Sequence, residues 1–301
     1  MDTLLKTGFF LLSLSLAWPV SAALNVFTCE PEWASLAQEI GGDKVSVTSA
    51  TTARQDPHRL EARPSLIARI RRADLLVCTG AELEVGWLPL LLTQSGNPKI
   101  QAGSPGYVEA SQFVPKLEVP KVLDRSLGDI HPSGNPHVHL DPRNIARIAQ
   151  GLAERMARID AGNAAVYRDR AADFGRRWAA AMQRWDGDKE RLKGVPLVVY
   201  HRDFSYFINW AGMREAGSLE PKPGIPPSPT HLAELVDQMK RDPAKVIVYS
   251  PYNDPRAAEF LSQRTGIATT MMPFTVGGDD GAKDLFGLFD DTIARLLAVI
   301  R

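Results

Sequence analysis

A chain of 301 residues, 44% of them hydrophobic and 23% charged, has globular proportions and enough length for two medium-sized cores, which excludes a disordered polymer. Its 35 lysines and arginines balance 35 aspartates and glutamates, so no global field draws it toward nucleic acid or anionic lipid. Any partner must be recognised through local features.

The first local feature is at the start. Lys6 precedes an apolar run from Gly8 to Trp18, followed by Pro19, Val20, Ser21 and Ala22. That apolar core is too short to span a bilayer, and the small residues before position 23 suit a signal peptidase, so residues 1–22 read as a secretory signal peptide cleaved after Ala22. A buried N-terminal helix is the plainer alternative. No cysteine follows the run as a lipoprotein site would require, and no later stretch is long and apolar enough to cross a membrane. The expected location is the periplasm, without a lipid anchor. Cys29 and Cys78 each close an apolar run that reads as a strand. They are either a disulfide formed in that oxidising compartment or two small buried residues.

Strands and helices then alternate. Strands are expected at 24–28, 44–49, 75–78 and near Ile100 and Gln101, with helices at 32–40, 64–72 and around 87–92. This rhythm implies a parallel sheet covered by helices on both faces. Residues 103–142, rich in Pro, Gly and Ser, read as a long functional loop. Two amphipathic helices follow: Ile145, Ile148, Leu152, Met156 and Ile159 form one apolar stripe, and Val166, Ala171, Phe174, Trp178, Met182 and Trp185 form a second over more than five turns. From Val195 the alternation resumes, with strands at 196–200, 216–219, 245–249 and 268–272 and a closing helix at 285–300. The expected organisation is an N-terminal α/β lobe (23–142), connecting helices (143–194) and a C-terminal α/β lobe (195–301). In such folds ligands bind beyond the carboxyl ends of the strands, here in the cleft between the lobes.

Six histidines are present: His58, His131, His137, His139, His201 and His231. His58 lies just past the second strand, His137 near the end of the long loop, and His201 directly after the first strand of the second half. Three neutral imidazoles and one oxygen donor form a tetrahedral shell that suits zinc, and Pro57 and Pro136 would stiffen two of the positions. His139, two residues from His137, is assigned a structural role, His131 reads as a solvated loop residue with an accessory ligand as the alternative, and His231 as an exposed helical residue.

Three features together, Asp56-Pro57-His58, Asn135-Pro136-His137-x-x-Leu140-Asp141-Pro142 ahead of a long helix, and a histidine closing the first strand of the second half, resemble the metal-binding proteins of zinc and manganese ABC importers, the cluster A-I solute-binding proteins. The resemblance covers nearly the whole mature chain. It implies two (β/α) lobes joined by one long backbone helix, mapped onto 162–192, with the ligands carried over to His58, His137 and His201. It implies zinc as cargo and a membrane permease as partner; a periplasmic metallochaperone is a further candidate partner. Its fourth ligand is an acidic residue after a late strand, where no carboxylate stands immediately at the strand end. Asp279 is the choice there, with Asp280, Glu220 or water as alternatives. Only His131 lies where zinc members often carry a histidine-rich loop. Manganese members replace one histidine by a carboxylate, whereas this chain keeps all three, and nitrogen donors favour zinc over manganese.

A secreted zinc hydrolase is the rival from another class, but no His-Glu-x-x-His pair supplies its general base. An adhesin on the same fold is a second rival, and manganese or iron is the alternative cargo. No phosphate loop, serine-nucleophile motif or Cys-x-x-Cys pair supports nucleotide or redox chemistry, so an enzyme is not expected.

Overall fold

The computed structural model describes residues 22–124, 126 and 128–300, and the expected signal peptide lies almost wholly outside them. The first half runs β1 (Leu24–Thr28), α1 (Pro31–Gly41), β2 (Val45–Ser49), α2 (Pro64–Ile70), β3 (Leu75–Cys78), α3 (Leu88–Ser95) and β4 (Tyr107–Glu109). These strands form a parallel sheet of order β2-β1-β3-β4. Two helices follow, α4 (Pro142–Ile159) and α5 (Ala164–Lys189). The second half comprises β5 (Pro196–Val199), α6 (Ser205–Ala211), β6 (Arg214–Ser218), α7 (Pro229–Arg241), β7 (Val246–Tyr249), α8 (Arg256–Thr265), β8 (Ala268–Met271) and α9 (Leu285–Val299). Its sheet, β6-β5-β7-β8, repeats the order of the first and is parallel throughout. The chain is thus an α/β protein of two lobes joined by helix.

One expected strand is misplaced. Pro98 to Ile100 form a 3₁₀ turn, with the Asn97 side chain accepting from the Lys99 N–H. Proline has no N–H to give a ladder, which disfavours pairing at that point. The fourth strand comes later, at β4, inside the segment read as loop. Gly106 admits the chain there: a Cβ on it would stand 2.4 Å from the Lys99 carbonyl oxygen and 2.6 Å from that of Asp74.

Each sheet is covered on both faces, as parallel sheets require. Outer faces pack under helices of their own lobe: Phe27, Leu76 and Cys78 under α2 and α3, and Val198 and Ile247 under α7 and α8. The inner faces share one continuous core, which includes Val26 and Val77 of the first sheet and Val199 and Val248 of the second. Helix α5, 26 residues and about 39 Å long at 1.5 Å per residue, lies along this core. Its buried Phe174, Trp178 and Trp185 stack with one another and with Phe286 and Phe289 of α9. The Trp178 indole N–H donates to the Pro142 carbonyl and that of Trp185 to Asp290 Oδ1. Toward the other lobe, Arg170 Nε donates to the Glu39 carbonyl of α1. The helix therefore grips both lobes.

Strands β1 and β3 are neighbours, so Cys29 and Cys78, one step past β1 and at the end of β3, stand 4.7 Å apart at Cα and are joined as a disulfide. Two buried carboxyls lie beside it. Glu84 Oε1 accepts from the Thr79 N–H at 2.7 Å, and Glu30 Oε2 from Thr79 Oγ1 at 3.1 Å. Burial, reinforced by the charges of Glu84 and Glu32, raises the Glu30 pKa well above the usual carboxylate range. Burial pushes Glu84 up to about 7, against the backbone hydrogen bonds it accepts. A carboxyl raised in this way contributes fully below its unfolded value of 4.5 and loses that contribution as pH rises through its folded value. Thermal stability should therefore fall between roughly pH 5 and pH 8, and Glu84→Gln should flatten the decline. Melting curves across that range check it; an equally steep decline in the variant would contradict it.

Candidate metal centre

The reversal of strand order in each sheet opens a crevice beyond its carboxyl edge, and the segments leaving those edges carry the histidines. After β2 the chain reaches Asp56-Pro57-His58. Asp56 Oδ1 accepts from both the backbone N–H and the Nδ1 of His58, at 3.0 and 2.8 Å, while the Pro57 carbonyl accepts from the Trp87 indole. The ring is thus fixed with Nε2 pointing away from its carboxylate. After β5, His201 Nδ1 donates to Glu220 Oε2 at 2.7 Å, and the same oxygen accepts from the Gly224 N–H.

His137 is set by the Asn-Pro-His motif itself. Asn135 Oδ1 accepts from the His137 N–H, and Asn135 Nδ2 donates to Glu118 and to the Arg202 carbonyl. Tyr206 OH donates to the Asn135 carbonyl. One 3₁₀ turn later Asp141 caps α4, accepting from the Arg143 N–H, with Pro142 at the first helical position, where its missing N–H costs nothing. The motif therefore docks the loop on α6 and launches α4 in one stroke.

These three segments converge. Donor atoms of His58, His137 and His201 all lie within 4.8 Å of one another, and ring centroids are 5.4 to 5.8 Å apart. His58 Nε2 and both ring nitrogens of His137 are buried without a hydrogen-bond partner. Buried imidazole nitrogens without partners are costly, and a cation at their focus would satisfy them together. Burial, and then the neighbouring His58 and His201, hold the His137 pKa well below the ordinary histidine value. Burial works against charge on His201 too, but the hydrogen bond to Glu220 and the nearby Asp203 carboxylate outweigh it, and its pKa is raised.

Asp279 does not join the group. Its Oδ1 accepts from the N–H groups of Gly281 and Ala282, and its other oxygen pairs with Arg295 of α9. The turn after β8 folds this carboxylate onto the last helix, whose guanidinium answers its charge. Glu220 reaches the site only through His201 Nδ1. His139 is fully buried, with Nε2 donating to the Phe274 carbonyl at 2.8 Å and Nδ1 3.3 Å from Glu32 Oε1, so it ties the two lobes together, as its structural assignment expected. His231 is half-buried, its ring bonded to the Ser218 carbonyl. His131 approaches the cluster, its ring 5.3 Å from that of His58; burial and the His58 charge lower its pKa to about 4. The roles of Asp56 and Glu220 escaped the sequence, although an aspartate two residues before a histidine was a usable sign. A second close grouping among the described residues, Cys29, Cys78 and Glu84, offers no thiolate because its sulfurs are bonded to each other.

Two lobes fixed on a long helix, with imidazoles converging in the cleft, define a metal-binding solute-binding protein of the cluster A-I type. The family model of ZnuA, "zinc-uptake complex component A periplasmic", matches residues 26–299, and the chain belongs to that family. It is 23% identical over 276 residues to the zinc-binding lipoprotein AdcA of Streptococcus pneumoniae, covering 88% of this chain and 52% of that one. It is 27% identical over 135 residues to the high-affinity zinc uptake system protein ZnuA of Brucella abortus, 44% of this chain and 40% of that one. The match to the manganese ABC transporter substrate-binding lipoprotein ScaA of Streptococcus gordonii is 23% identical and covers 87% and 84%. The chain thus spans about half the length of AdcA. A crystal structure of ZnuA superposes with a TM-score of 0.78 at 20% identity, over 93% of this chain and all of that one. These named relatives are binding or uptake components, and none is named as an enzyme.

If Asp56 and Glu220 orient the imidazoles, Asp56→Asn and Glu220→Gln should each weaken metal binding by about 10- to 100-fold. Asp279→Asn should leave it nearly unchanged. Competition titration of the three variants checks this, and an equal loss in Asp279→Asn would contradict the geometry.

Proposed function

We propose that this protein captures one Zn²⁺ between its lobes through His58, His137 and His201 and passes it to the permease of an ABC importer. The observation that carries the reading is the convergence of imidazoles from three segments, with ring nitrogens of His58 and His137 unsatisfied and a carboxylate on the far nitrogen of His58 and of His201. A carboxylate behind an imidazole fixes its tautomer and strengthens it as a ligand. Nitrogen donors without a nearby carboxylate ligand favour zinc over manganese, which prefers oxygen. Family membership and the disulfide support work outside the reducing cytoplasm. Among the described residues no helix is long and apolar enough to cross a membrane.

Zinc takes imidazoles in their neutral form, so protons compete with it. The raised pKa of His201 starts this competition above the ordinary histidine value of 6.5. Affinity should therefore fall steadily as pH drops through neutrality toward pH 5. Metal analysis of the purified protein and competition titration at several pH values test the reading. One equivalent of zinc, tighter than manganese and lost in His137→Ala, is expected; a wild-type protein that takes up no transition metal, or prefers manganese, would overturn it.

A further inference from the structure

The backbone that carries His58 is held by contacts that lead back to the disulfide. Resting on the zinc reading above, we propose that the Cys29–Cys78 bond positions His58 through the two chain segments that run from it, so that zinc affinity depends on the oxidised state of this pair.

The first segment is the one that follows β2. Cys29 stands one step past β1, and its carbonyl accepts from both the N–H and the Oγ1 of Thr51, at 3.0 and 2.9 Å. The chain then turns on its way to His58, with Gln55 Oε1 accepting from the Thr52 N–H and the Gln55 N–H donating to the Thr52 carbonyl. One half of the disulfide thus holds the root of the ligand segment.

The second segment leaves Cys78 through Gly80, Ala81 and Glu82, with φ of 74°, 50° and 61°. Left-handed backbone is disfavoured for alanine and glutamate and persists where the surroundings demand it. Two restraints supply that demand: the disulfide at the start of the turn, and the Glu84 carboxyl, which accepts from the N–H groups of Thr79 and Gly80. Past the turn, the Trp87 indole N–H donates to the Pro57 carbonyl at 2.8 Å. Gly86 passes so near that a Cβ on it would stand 3.3 Å from the His58 carbonyl oxygen. Trp87, Cys29, Cys78 and Ala50 share one buried cluster, so both segments reach Pro57 and His58 from a single packed unit. His137 and His201 are held by Asn135 and Glu220, outside it.

Reduction by a dithiol breaks the S–S bond: two electrons and two protons go to the sulfurs, and the dithiol closes to its own disulfide. The turn after Cys78 then loses one of its two restraints, and Trp87 its fixed place against Pro57. By linkage, the factor that reduction takes from zinc affinity is the factor by which zinc protects the disulfide against reduction.

The test is competition titration of the full chain with zinc alone, with near-ultraviolet circular dichroism as the check on packing. The samples are oxidised wild type, wild type reduced with a dithiol that is then removed, Cys29→Ser/Cys78→Ser, and Trp87→Phe. Affinity should drop about tenfold in the reduced protein and in the double variant with the dichroism retained. It should drop about fivefold in Trp87→Phe, which keeps the disulfide and an aromatic ring but loses the indole N–H. In a glutathione redox titration, half-reduction of the zinc-loaded protein should need a ratio of [GSH]² to [GSSG] about tenfold higher than that of the metal-free protein. Equal zinc affinity in oxidised and reduced wild type, or a redox midpoint that zinc does not move, would overturn the proposal and leave the zinc reading standing. Where opening the disulfide unfolds the chain, Trp87→Phe decides, and unchanged affinity there overturns the proposal. Oxidised wild type that binds no zinc would overturn both.

Discussion

The structure depends on the two lobes being held at a fixed separation. Imidazoles from different lobes stay within 4.8 Å of one another only if the sheets that carry them do not drift. A core shared by the inner faces of both sheets supplies that constraint, with α5 running along it and Trp178 and Trp185 buried within it. Interiors packed at crystal-like density resist continuous deformation, so the site inherits its precision from apolar contacts well away from it.

A polar link reinforces this apolar one. Glu32 of α1, His139 in the 3₁₀ turn Val138–Leu140, and Phe274 and Thr275 after β8 form one buried chain of contacts across the lobes. Each member is shut away from water, so removing one would leave its partners unsatisfied. The histidine two residues after His137 is thus spent on architecture. His137 faces the cleft and His139 faces the interlobe seam, and Phe274 packs edge-on against both rings.

The site is unevenly supported, and the unevenness has chemical meaning. His58 and His201 each have a carboxylate behind the ring, whereas His137 has none and lies deepest. The His137 ring has no partner of its own, and burial holds its pKa well below the ordinary histidine value. A cleft lined by imidazole donors accords with membership of the ZnuA family.

Much of this was legible in the sequence because it is local. The strand and helix alternation, the apolar stripes of α4 and α5, and the placing of His58 and His201 after strands and of His137 at the end of the long loop follow from side-chain period and chain order. The Asn-Pro-His-x-x-Leu-Asp-Pro motif encodes a loop dock and a helix cap within eight residues, so its shape is nearly independent of the rest of the chain. What only the tertiary structure decided is which distant groups meet. A carboxylate at position 279 looks as suitable as one at 220, but the turn after β8 delivers it to Arg295, and the pairing of β5 with β6 brings Glu220 to His201. The disulfide depends likewise on β1 lying beside β3. The sequence determined the donor types and the lobes that carry them; the pairing of side chains far apart in the chain was set by packing, which no short window of residues contains.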